Sequence, residues 1–525
     1  MSASAPPRPW HGAWPAHLPL SLDYPSVPAW WLLERNLPRF AARVAVREVD
    51  HETLAEGRVL SYEALVRAAR GIATGLRALG VGPGARVGFC LPNSAALILG
   101  YYATWWAGGT VVPTNPAARD TEVEQQLADA GVSLVVGQAR GPAESAAARL
   151  KIPFVARDAF AAMERADAAA PASCDPASDL AVLLYTGGTT GTPKGAMLTH
   201  RNIVANTIQF AEWYAFAQGD EVSLCAIPCF HSGGMSGVMN VPLSAGATLL
   251  VFPRFKASSV AHAVGRYRVT RLFGVPTMFI ALLDDAEGRR ADYSTLRACR
   301  TNAAPLPPSV KTDFDTLVGR DVLVEGYGLT ETSPLTHANP IHRAKAGSIG
   351  IPLPDTDARI VDLESGRDVV PGESGELMIR GPQVMRGYWN RAEETAQALV
   401  DGWLRTGDVA IMDGEGYFAI VDRAKDMINT AGFKVWPREV EEVLYGHAAV
   451  KLAVVVGAPD GYRGEIVKAF VVPKDGARVT EAELLEHCRA QLSTYKLPRA
   501  VEFRTELPTS GAGKLLRRAL RDGGL

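Results

Sequence analysis

The sequence predicts an α/β protein in which doubly wound parallel sheets are followed by a small antiparallel barrel and a separate α+β module. Three observations support this prediction. The chain has 525 residues, which is too long for one ordinary hydrophobic core. Residues 61–136 alternate amphipathic helices with short apolar strands, as βαβ units do. The last hundred residues place two strands between two helices, which indicates a domain of their own.

The individual elements follow from apolar periodicity and from the residues that end each segment. Helices are expected over residues 61–79, 95–107 and 120–130, and Gly80 is expected to end the first of them. Strands are expected over residues 86–90, 110–113, 133–136, 223–227, 248–252, 271–274 and 322–325. Shorter alternating strands over 356–361 and 375–379 are typical of a small antiparallel barrel.

The last module has clear helix signals. A helix is expected from Pro437, with proline in its first turn and glutamates near its positive end. Strands are expected over 449–456 and 465–472. Thr480 and Glu483 have the spacing of a capping box for a helix that runs to about residue 492.

The composition is that of an ordinary globular protein and disfavours several classes of function. Hydrophobic residues make up 47% and charged residues 21%, and the net charge of −2 gives no support for nucleic-acid binding. Residues 87–118 lack charged side chains, but Pro92, Gly108 and Pro113 interrupt them, so no transmembrane helix is expected. Residues 1–28 do not resemble a signal peptide. Six scattered cysteines, without the two pairs that a zinc site needs, predict a reducing, cytoplasmic location.

A glycine- and threonine-rich segment follows the strand that ends at Tyr185. Residues 186–190 are all glycine or threonine, and Lys194 follows Pro193. Such a turn lets backbone N–H groups approach a polyphosphate, and lysine adds a point charge. The segment fits the usual phosphate loop poorly, since Gly195 follows the lysine where serine or threonine is needed. A flexible surface loop would explain the glycines but not the threonines with Pro-Lys-Gly.

Four further segments carry candidate chemistry, each with a simpler alternative. Residues 327–332 (YGLTET) follow a predicted strand and offer Glu331 for Mg²⁺ and Thr330 for the α-phosphate, although the threonines could cap a helix. Asp408 ends the run LRTGD, which could be an Asx turn. Residues 422–437 (DRAKDMINTAGFKVWP) join the two modules, although charge runs are usually solvated. Lys514 lies in a basic tail that could serve only solubility.

These five segments occur in the order and spacing of the adenylate-forming superfamily, which includes acyl-CoA synthetases, adenylation domains of peptide synthetases and firefly luciferase. The chain resembles the fatty-acid–CoA ligases most, from about Trp30 to Arg518. The resemblance implies an N-terminal domain, residues 1–422, of two doubly wound sheets and a small barrel. It implies a mobile C-terminal domain, residues 423–525, that rotates about a hinge at Lys425.

The resemblance also implies roles for individual residues. Lys514, Glu331, Thr330 and His231 would be catalytic, and Thr186 and Glu331 would hold Mg²⁺. ATP and AMP would contact a larger set: Thr186, Gly187, Gly188, Thr189, Thr190, Gly191, Lys194, Ala303, Ala304, Pro305, Glu325, Gly326, Tyr327, Asp408 and Arg423. CoA would contact Ala431, Gly432, Phe433, Lys434, Arg463, Tyr495 and Lys496, although members of the family often have Gly-Gly-Glu-Asn at 431–434.

The expected acyl pocket is the segment around His231, with Ser232, Gly233, Gly234 and Gly237. These small residues are expected to leave room for a long chain, and the segment has no Asp or Lys to pair with an amino acid. The expected activity is ATP-dependent activation of a medium- to long-chain fatty acid and its transfer to CoA. The alternatives are a coumarate- or benzoate-type ligase, a luciferase-like oxygenase and a catalytically silent acyl- or AMP-binding protein. The expected partners are the acid, ATP, CoA and Mg²⁺, and a homodimer is a possible assembly.

Overall fold

The computed structural model describes residues 8–168, 170–186, 193–509 and 515–521. Its strands, in chain order, are β1 (Val44–Val49), β2 (Glu56–Ser61), β3 (Arg86–Cys90), β4 (Thr110–Pro113), β5 (Leu134–Gly137), β6 (Phe154–Ala156), β7 (Leu180–Tyr185), β8 (Gly195–Thr199), β9 (Val222–Cys225), β10 (Thr248–Val251), β11 (Arg271–Gly274), β12 (Ala298–Thr301), β13 (Leu323–Gly328), β14 (Leu335–Ala338), β15 (Ile351–Pro352), β16 (Asp357–Val361), β17 (Ser374–Arg380), β18 (Leu399–Val400), β19 (Trp403–Met412), β20 (Phe418–Arg423), β21 (Ile428–Thr430), β22 (Phe433–Val435), β23 (Val450–Asp460), β24 (Gly464–Pro473) and β25 (Ala500–Phe503).

The α-helices, in chain order, are α1 (Trp31–Glu34), α2 (Leu37–Phe40), α3 (Tyr62–Ala78), α4 (Ala95–Ala107), α5 (Asp120–Ala130), α6 (Pro142–Leu150), α7 (Arg157–Ala162), α8 (His200–Trp213), α9 (Val241–Ser244), α10 (Ala257–Arg266), α11 (Pro276–Asp284), α12 (Ala286–Arg290), α13 (Pro308–Val318), α14 (Ala392–Ala398), α15 (Pro437–Tyr445), α16 (Glu481–Arg489) and α17 (Arg517–Arg521).

Two largely parallel sheets form most of the molecule. One has the order β6-β5-β3-β4-β7-β8, and the other has the order β15-β14-β13-β12-β11-β9-β10-β1-β2. The strands pair in parallel except at the edges, where β8, β14, β15 and β2 run antiparallel to their neighbours. Crossovers through helices bring the carboxyl ends of the parallel strands to one edge of each sheet, where ligands bind in such folds.

The core between the sheets explains the long uncharged stretch of the sequence. Every residue of α4 is buried, and this helix contacts β1 of one sheet and both β3 and β4 of the other. Its N-terminus is capped by Ser94, and its C-terminus ends at Gly108 in the left-handed conformation. A helix that is apolar on all sides therefore lies inside the protein, as expected for 13 residues, which are too few to cross a bilayer.

Two smaller antiparallel sheets complete the fold. The first has the order β16-β17-β19-β18, with β20 on β19, and forms the barrel-like sheet that the short alternating strands predicted. The second has the order β22-β21-β24-β23, with β25 on β24, and packs against α15 and α16 around its own core cluster. These sheets agree with the predicted fold class of doubly wound sheets, a small barrel and an α+β module.

One strand near the site differs from the expected pattern. Between the glycine-rich segment and α8 the sequence predicted no strand, whereas β8 pairs antiparallel with β7, from Tyr185 opposite Gly195 to Leu180 opposite Thr199. The ends of β7 and β8 that flank the glycine-rich segment, Tyr185 and Gly195, therefore lie opposite each other. Helix α8 follows β8 directly, and the Thr199 side chain caps its first turn.

Candidate active site

The hairpin β7–β8 holds the two ends of the glycine-rich segment together. The Thr186 N–H donates to the Lys194 carbonyl oxygen at 2.9 Å, and the Lys194 N–H lies 3.5 Å from the Thr186 hydroxyl. Both residues are half-buried. Residues Gly187, Gly188, Thr189, Thr190 and Gly191, predicted to contact phosphates, lie outside the described residues. The hairpin thus places Thr186 and Lys194 side by side at the end of β7.

The segment around Tyr388 connects this hairpin to Glu331. Lys194 Nζ lies 5.2 Å from the centroid of the Tyr388 ring, and the Tyr388 hydroxyl donates to Glu331 Oε1 at 2.7 Å. Backbone hydrogen bonds hold the segment around Tyr388 against both β8 and the Glu331 turn. The Trp389 N–H donates to the Gly195 carbonyl oxygen, and the Met385 N–H donates to the Glu331 carbonyl oxygen, each at 2.8 Å. The predicted phosphate-binding lysine and the predicted metal-binding carboxylate therefore lie in one cleft, with the Tyr388 ring between them.

The YGLTET segment leaves β13 as a tight turn. Residues Thr330–Thr332 form a 3₁₀ turn in which the Thr332 hydroxyl, not that of Thr330, caps the Leu329 N–H. A Cβ on Gly328 would lie 1.8 Å from the Pro334 carbonyl oxygen, so this position requires glycine. The turn leaves the Thr330 hydroxyl without a hydrogen bond among the described residues.

Residues at the ends of β12 and β13 form the predicted adenine site. The two strands are parallel, with Thr301 beside Glu325. Ala303 has φ +74° and lies in the bend that follows β12. A Cβ on Gly326 would lie only 3.3 Å from Asn302 Nδ2, so the two segments are in contact. The structure thus brings Ala303, Ala304 and Pro305 beside Glu325, Gly326 and Tyr327.

Among the carboxyl groups of the predicted ATP site, Glu325 has the most strongly shifted pKa. Burial raises its pKa to about 7, and the positive charge of Arg438, on α15, partly opposes this effect. The Leu306 N–H donates to the same carboxyl group. Because α15 belongs to the C-terminal sheet and its helices, a cation of that module lies near the predicted adenine site.

Asp408 and its neighbours form the predicted ribose site. Asp408 is 5% exposed, and its Oδ2 accepts a hydrogen bond from the Tyr327 hydroxyl at 2.5 Å. Arg423 Nε lies 3.3 Å from Asp408 Oδ1, and the two residues face each other across β19 and β20. The Thr406 hydroxyl accepts the Asp408 N–H at 3.1 Å, so this turn is made by the Thr406 side chain and is not the Asx turn of Asp408 that was the simpler alternative. The turn positions the carboxylate between a phenol and a guanidinium.

The acyl-pocket segment is helical and tightly packed. His231 is half-buried, and burial lowers its pKa to about 4, so the ring is neutral at pH 7. Residues Gly233–Asn240 form a π-helix. A Cβ on Gly234 would lie 2.1 Å from the Pro228 carbonyl oxygen, and one on Gly237 would lie 2.7 Å from the Phe273 ring.

This packing limits the space that the small residues were expected to provide. Protein atoms already fill the volume beside Gly234 and Gly237. Gly233, half-exposed beside the half-exposed Ser232, is less crowded, because its nearest atoms are those of Phe273 at 3.7 Å. The residues are small because their neighbours approach closely, which sequence alone could not distinguish from an open pocket.

The predicted CoA contacts all lie on the C-terminal module. Ala431 and Gly432, both with positive φ, form the tip of the hairpin β21–β22. Phe433 is 56% exposed and stacks on Tyr495 with ring centroids 4.9 Å apart. The Ala431 N–H donates to the Arg463 carbonyl oxygen at 2.8 Å. Lys434 lies 3.8 Å from Glu364, and Lys496 pairs with Glu439.

The linker between the modules is short. β20 ends at Arg423, and residues Ala424–Asp426 form a 3₁₀ turn that contains the exposed Lys425. Asp422 accepts from the Arg438 N–H at 2.8 Å and pairs with Arg517 at 2.6 Å. Lys514, predicted to be catalytic, lies outside the described residues, three positions before Arg517.

Sequence reasoning missed Tyr388, Arg438 and Arg517. The only local signal at Tyr388 was a Gly-Tyr-Trp run outside any periodic element, and nothing local indicates that its hydroxyl reaches Glu331. Arg438 and Arg517 lie in charged runs whose usual interpretation is a solvated face.

The family described as AMP-binding enzyme matches residues 33–389, and the AMP-binding enzyme C-terminal domain matches residues 439–514. The chain belongs to the AMP-binding enzyme family. The two matches lie on the large sheets and on the C-terminal module.

Named relatives of this AMP-binding enzyme cover nearly its whole length. A long-chain-fatty-acid–CoA ligase of Bacillus subtilis is 40% identical over 98% of this chain and 97% of its own. A feruloyl-CoA synthase of Amycolatopsis is 41% identical over 89% of this chain and 94% of its own. The crystal structure of ATP-bound MatB from Rhodopseudomonas palustris has a TM-score of 0.86 and 31% identity, covering 95% of this chain and 99% of that one.

These relatives establish the reaction class. The protein is an AMP-forming acid–CoA ligase, with ATP and CoA as its co-substrates. Within the described ranges, the structure contains no helix long and apolar enough to cross a membrane.

Proposed function

We propose that this ligase activates a medium- to long-chain fatty acid as an acyl-adenylate and then transfers the acyl group to CoA. What supports the choice of acid is the 40% identity to the Bacillus subtilis long-chain-fatty-acid–CoA ligase over almost the whole of both chains. The acyl-pocket segment also presents a neutral His231 and no carboxylate or lysine of its own, which suits an uncharged acyl body.

In the first step the fatty-acid carboxylate attacks the α-phosphorus of ATP, and pyrophosphate leaves with the electrons of the broken P–O bond. Both reactants are anions, so positioned cations and hydrogen-bond donors must reduce their repulsion. Lys194, held beside Tyr388, would meet the β- and γ-phosphates. Asp408, oriented by Tyr327 and Arg423, would accept hydrogen bonds from the ribose hydroxyls.

Mg²⁺ would bind beside Glu331 mainly through the ATP phosphates. Glu331 Oε1 accepts a hydrogen bond from the Tyr388 hydroxyl, whereas Oε2 has no hydrogen-bond partner among the described residues. A Mg²⁺ ion bound together with ATP takes only one or two protein oxygens, with phosphates and waters as its other ligands. Glu331 and Thr186 would hold it, and the ion would neutralise charge on the leaving pyrophosphate.

In the second step the CoA thiol displaces AMP from the acyl-adenylate. We propose that residues 423–525 rotate about Lys425 against residues 1–422 between the steps, so that Lys514 serves adenylation and the hairpin tip at Gly432 serves thioester formation. Gly432 has φ +86° and no atom within 4 Å of a Cβ position, so the hairpin tip would let a thiol arm pass close to the backbone. Phe433 and Tyr495, stacked and partly exposed, would meet the rest of CoA.

A second candidate acid is aromatic, of the coumarate or benzoate type. The observation that favours it is the crowded end of the acyl segment, where Phe273 and Phe210 approach Gly237. The 41% identity to a feruloyl-CoA synthase supports the same choice.

The experiment is an acid panel with ATP and Mg²⁺, measured with and without CoA. Pyrophosphate release without CoA and thioester formation with CoA are expected for laurate and its neighbours in chain length. Lys514→Ala should abolish most pyrophosphate release, and the exposed Lys474→Ala is the matched control. Full adenylation by Lys514→Ala would disprove the assignment of Lys514, and thioester formation with coumarate but not laurate would replace the fatty acid by the aromatic acid. Light emission with luciferin would indicate an oxygenase, and no turnover of any acid would indicate a silent binding protein.

A further inference from the structure

Arg300 is a buried cation that the reaction described above does not use. It lies on β12, one residue before the strand ends, and is 4% exposed. Its guanidinium carbon is 3.8 Å from the ring centroid of Phe210, 4.6 Å from that of Tyr214 and 4.8 Å from that of Phe273. Three aromatic rings therefore surround the charge.

Only some of the hydrogen-bond donors of the Arg300 guanidinium have an acceptor. Nη2 donates to the Gly237 carbonyl oxygen at 3.1 Å, but the buried Nη1 has no hydrogen-bond partner among the described residues. Within that part of the chain no carboxylate lies within 4 Å of the guanidinium. The buried Tyr214 hydroxyl interacts with this guanidinium, but neither that hydroxyl nor Nη1 has a hydrogen bond of ordinary geometry. A buried polar group without a partner is costly, so each such group needs a physical reason.

A neighbouring arginine differs from Arg300 in having a carboxylate partner, although its Nε also has no hydrogen bond among the described residues. Arg271, on the adjacent strand β11, pairs with the fully buried Glu221 at 2.6 Å and donates to the Tyr214 carbonyl oxygen. Arg300 lies in the same layer of the protein without such a carboxylate. Burial lowers the pKa of Arg300 to about 9, which still leaves the group charged at neutral pH. An anion or an oxygen acceptor supplied from outside the chain would complete its surroundings.

Arg300 also lies at the inner end of the acyl-pocket segment. Its partner Gly237 is in the π-helix Gly233–Asn240, which begins two residues after His231. The Phe273 ring lies 3.7 Å from a Cβ position at Gly233 and 2.7 Å from one at Gly237, and the same ring contacts Arg300. An acyl group that enters past His231 and Gly233 would therefore meet the Phe273 ring, which contacts Arg300.

We propose that Arg300 binds an oxygen atom at the far end of the acyl group, so that the preferred acid has an apolar body and a second, distal acceptor. This inference rests on the proposed function, because it assumes that the acyl group lies along the segment from His231 to Gly237. Two kinds of acid carry the required chemistry: aliphatic acids with a terminal carboxylate or hydroxyl, and aromatic acids with ring oxygens. An unsubstituted alkyl chain would leave Nη1 unpaired.

The test uses matched pairs of acids that differ only at the distal end. The aliphatic arm compares octanoate with octanedioate and 8-hydroxyoctanoate, and hexanoate with hexanedioate. The aromatic arm compares cinnamate with 4-hydroxycinnamate. With wild-type protein, kcat/KM for pyrophosphate release should favour the oxygenated member of at least one arm by about tenfold or more, because a site that hydrogen-bonds a substrate group rejects the analogue without it. The arm that shows the preference identifies the source of the oxygen.

Variants separate the role of Arg300 from its neighbours. In Arg300→Met the preference should fall to about one, mostly through KM, whereas Arg300→Lys should retain part of it. Arg290→Met is the control, since the Arg290 side chain is 79% exposed and pairs with Glu287 at the surface; its preference should equal that of the wild type. Equal or reversed preference in the wild-type protein, or an unchanged preference in Arg300→Met, would overturn the proposal.

Calorimetric binding of the same pairs to the wild-type protein distinguishes this inference from the proposed function. If no acid yields a thioester, the proposed function fails, and tighter binding of the oxygenated acids still supports Arg300 as their anchor. If thioesters form but neither turnover nor binding distinguishes the members of a pair, the function stands and the inference fails. The wild-type comparison decides the matter even if Arg300→Met does not fold.

Discussion

Arg517 and Asp422 form an ion pair that ties the end of the chain to the start of the linker. Arg517 Nη1 lies 2.6 Å from Asp422 Oδ1, and Arg517 Nη2 lies 2.6 Å from Glu441 Oε2. The Asp422 side chain is only 2% exposed, and its second oxygen accepts the N–H of Arg438 at the start of α15. One buried carboxylate thus connects β20, α15 and the segment that follows Lys514.

Replacing Arg517 should destabilise the protein and slow adenylation selectively. Arg517→Met leaves Asp422 and Glu441 buried without their cation, which should cost about 3 kcal/mol of unfolding free energy. Because Lys514 lies three positions upstream, adenylation should fall more than thioester formation from a supplied acyl-adenylate. Urea unfolding and the two half-reactions measure this. Arg489→Met, which loses only an exposed pair with Glu486, is the control; equal losses in both half-reactions would contradict the selective effect.

Tyr388→Phe tests the contact between the tyrosine and the metal-binding carboxylate. The variant keeps the ring beside Lys194 but loses the 2.7 Å hydrogen bond to Glu331. Because partners of a ligating carboxylate orient it, kcat/KM for ATP at limiting Mg²⁺ should fall by about 10-fold to 100-fold. Saturating Mg²⁺ should restore part of the loss. Tyr417→Phe removes a hydroxyl that donates to Arg343 O instead, and it should behave as the wild type. An identical Mg²⁺ dependence in Tyr388→Phe and the wild type would rule out this role for the hydroxyl.

Asp408→Asn should weaken recognition of the ribose. The carboxylate accepts from Tyr327 and lies beside Arg423, and an amide cannot replace both interactions. Hydrogen bonds to a charged group contribute about 1.5–3 kcal/mol, so KM for ATP should rise by about 10-fold to 150-fold. The wild type should discriminate against 2′-deoxy-ATP, and the variant should discriminate less. Asp413→Asn is the matched control, since that aspartate pairs with Lys345 at the surface. Undiminished discrimination in Asp408→Asn would place the ribose elsewhere.

Glu325→Gln should change how stability depends on pH. The carboxyl pKa is about 7 in the folded protein and near its ordinary value of 4.5 in the unfolded chain. The folded state therefore holds a proton that the unfolded state releases, and the stability from the neutral form decreases as pH rises from 4.5 to 7. Relative to the wild type, Glu325→Gln should thus become more stable between pH 5 and pH 8, by up to about 3 kcal/mol. Urea unfolding at several pH values measures the difference; a constant difference would show that Glu325 titrates normally.

Much of the fold could be predicted because it depends on local pattern. The strands at 86–90, 110–113 and 271–274 and the helices at 95–107 and 120–130 have the predicted bounds, since buried parallel strands and capped helices have strong local signals. The capping box of Thr480 and Glu483 is also confirmed. β8 was missed because its five residues have no alternation of their own and are a strand only through pairing with β7.

The candidate site could be predicted in part for the same reason. The order of the motifs assigned Lys194, Glu331 and Asp408 to one predicted ATP site. In the structure, Lys194 and Glu331 both contact Tyr388, and Asp408 contacts Tyr327. Tyr388 could not be predicted, because its hydroxyl meets a carboxylate 57 positions away in the chain. Gly234 and Gly237 were expected to leave space, but Pro228 and Phe273 occupy it. A small residue has the same appearance in a sequence whether its neighbour is a ligand or another part of the protein.

The sequence by itself determined the reaction class, because its five ordered motifs resemble those of the adenylate-forming superfamily. Only the tertiary structure decided which side chains surround those residues: Tyr388 on Glu331, Arg517 on Asp422, and Arg300 among three rings at the end of the acyl segment. The reason is physical. The residue type of a reactive group can be recognised in the sequence from the chemistry that it must do. The orientation of its side chain and the choice of substrate depend on contacts between segments that are distant in the chain, and only packing brings these segments together.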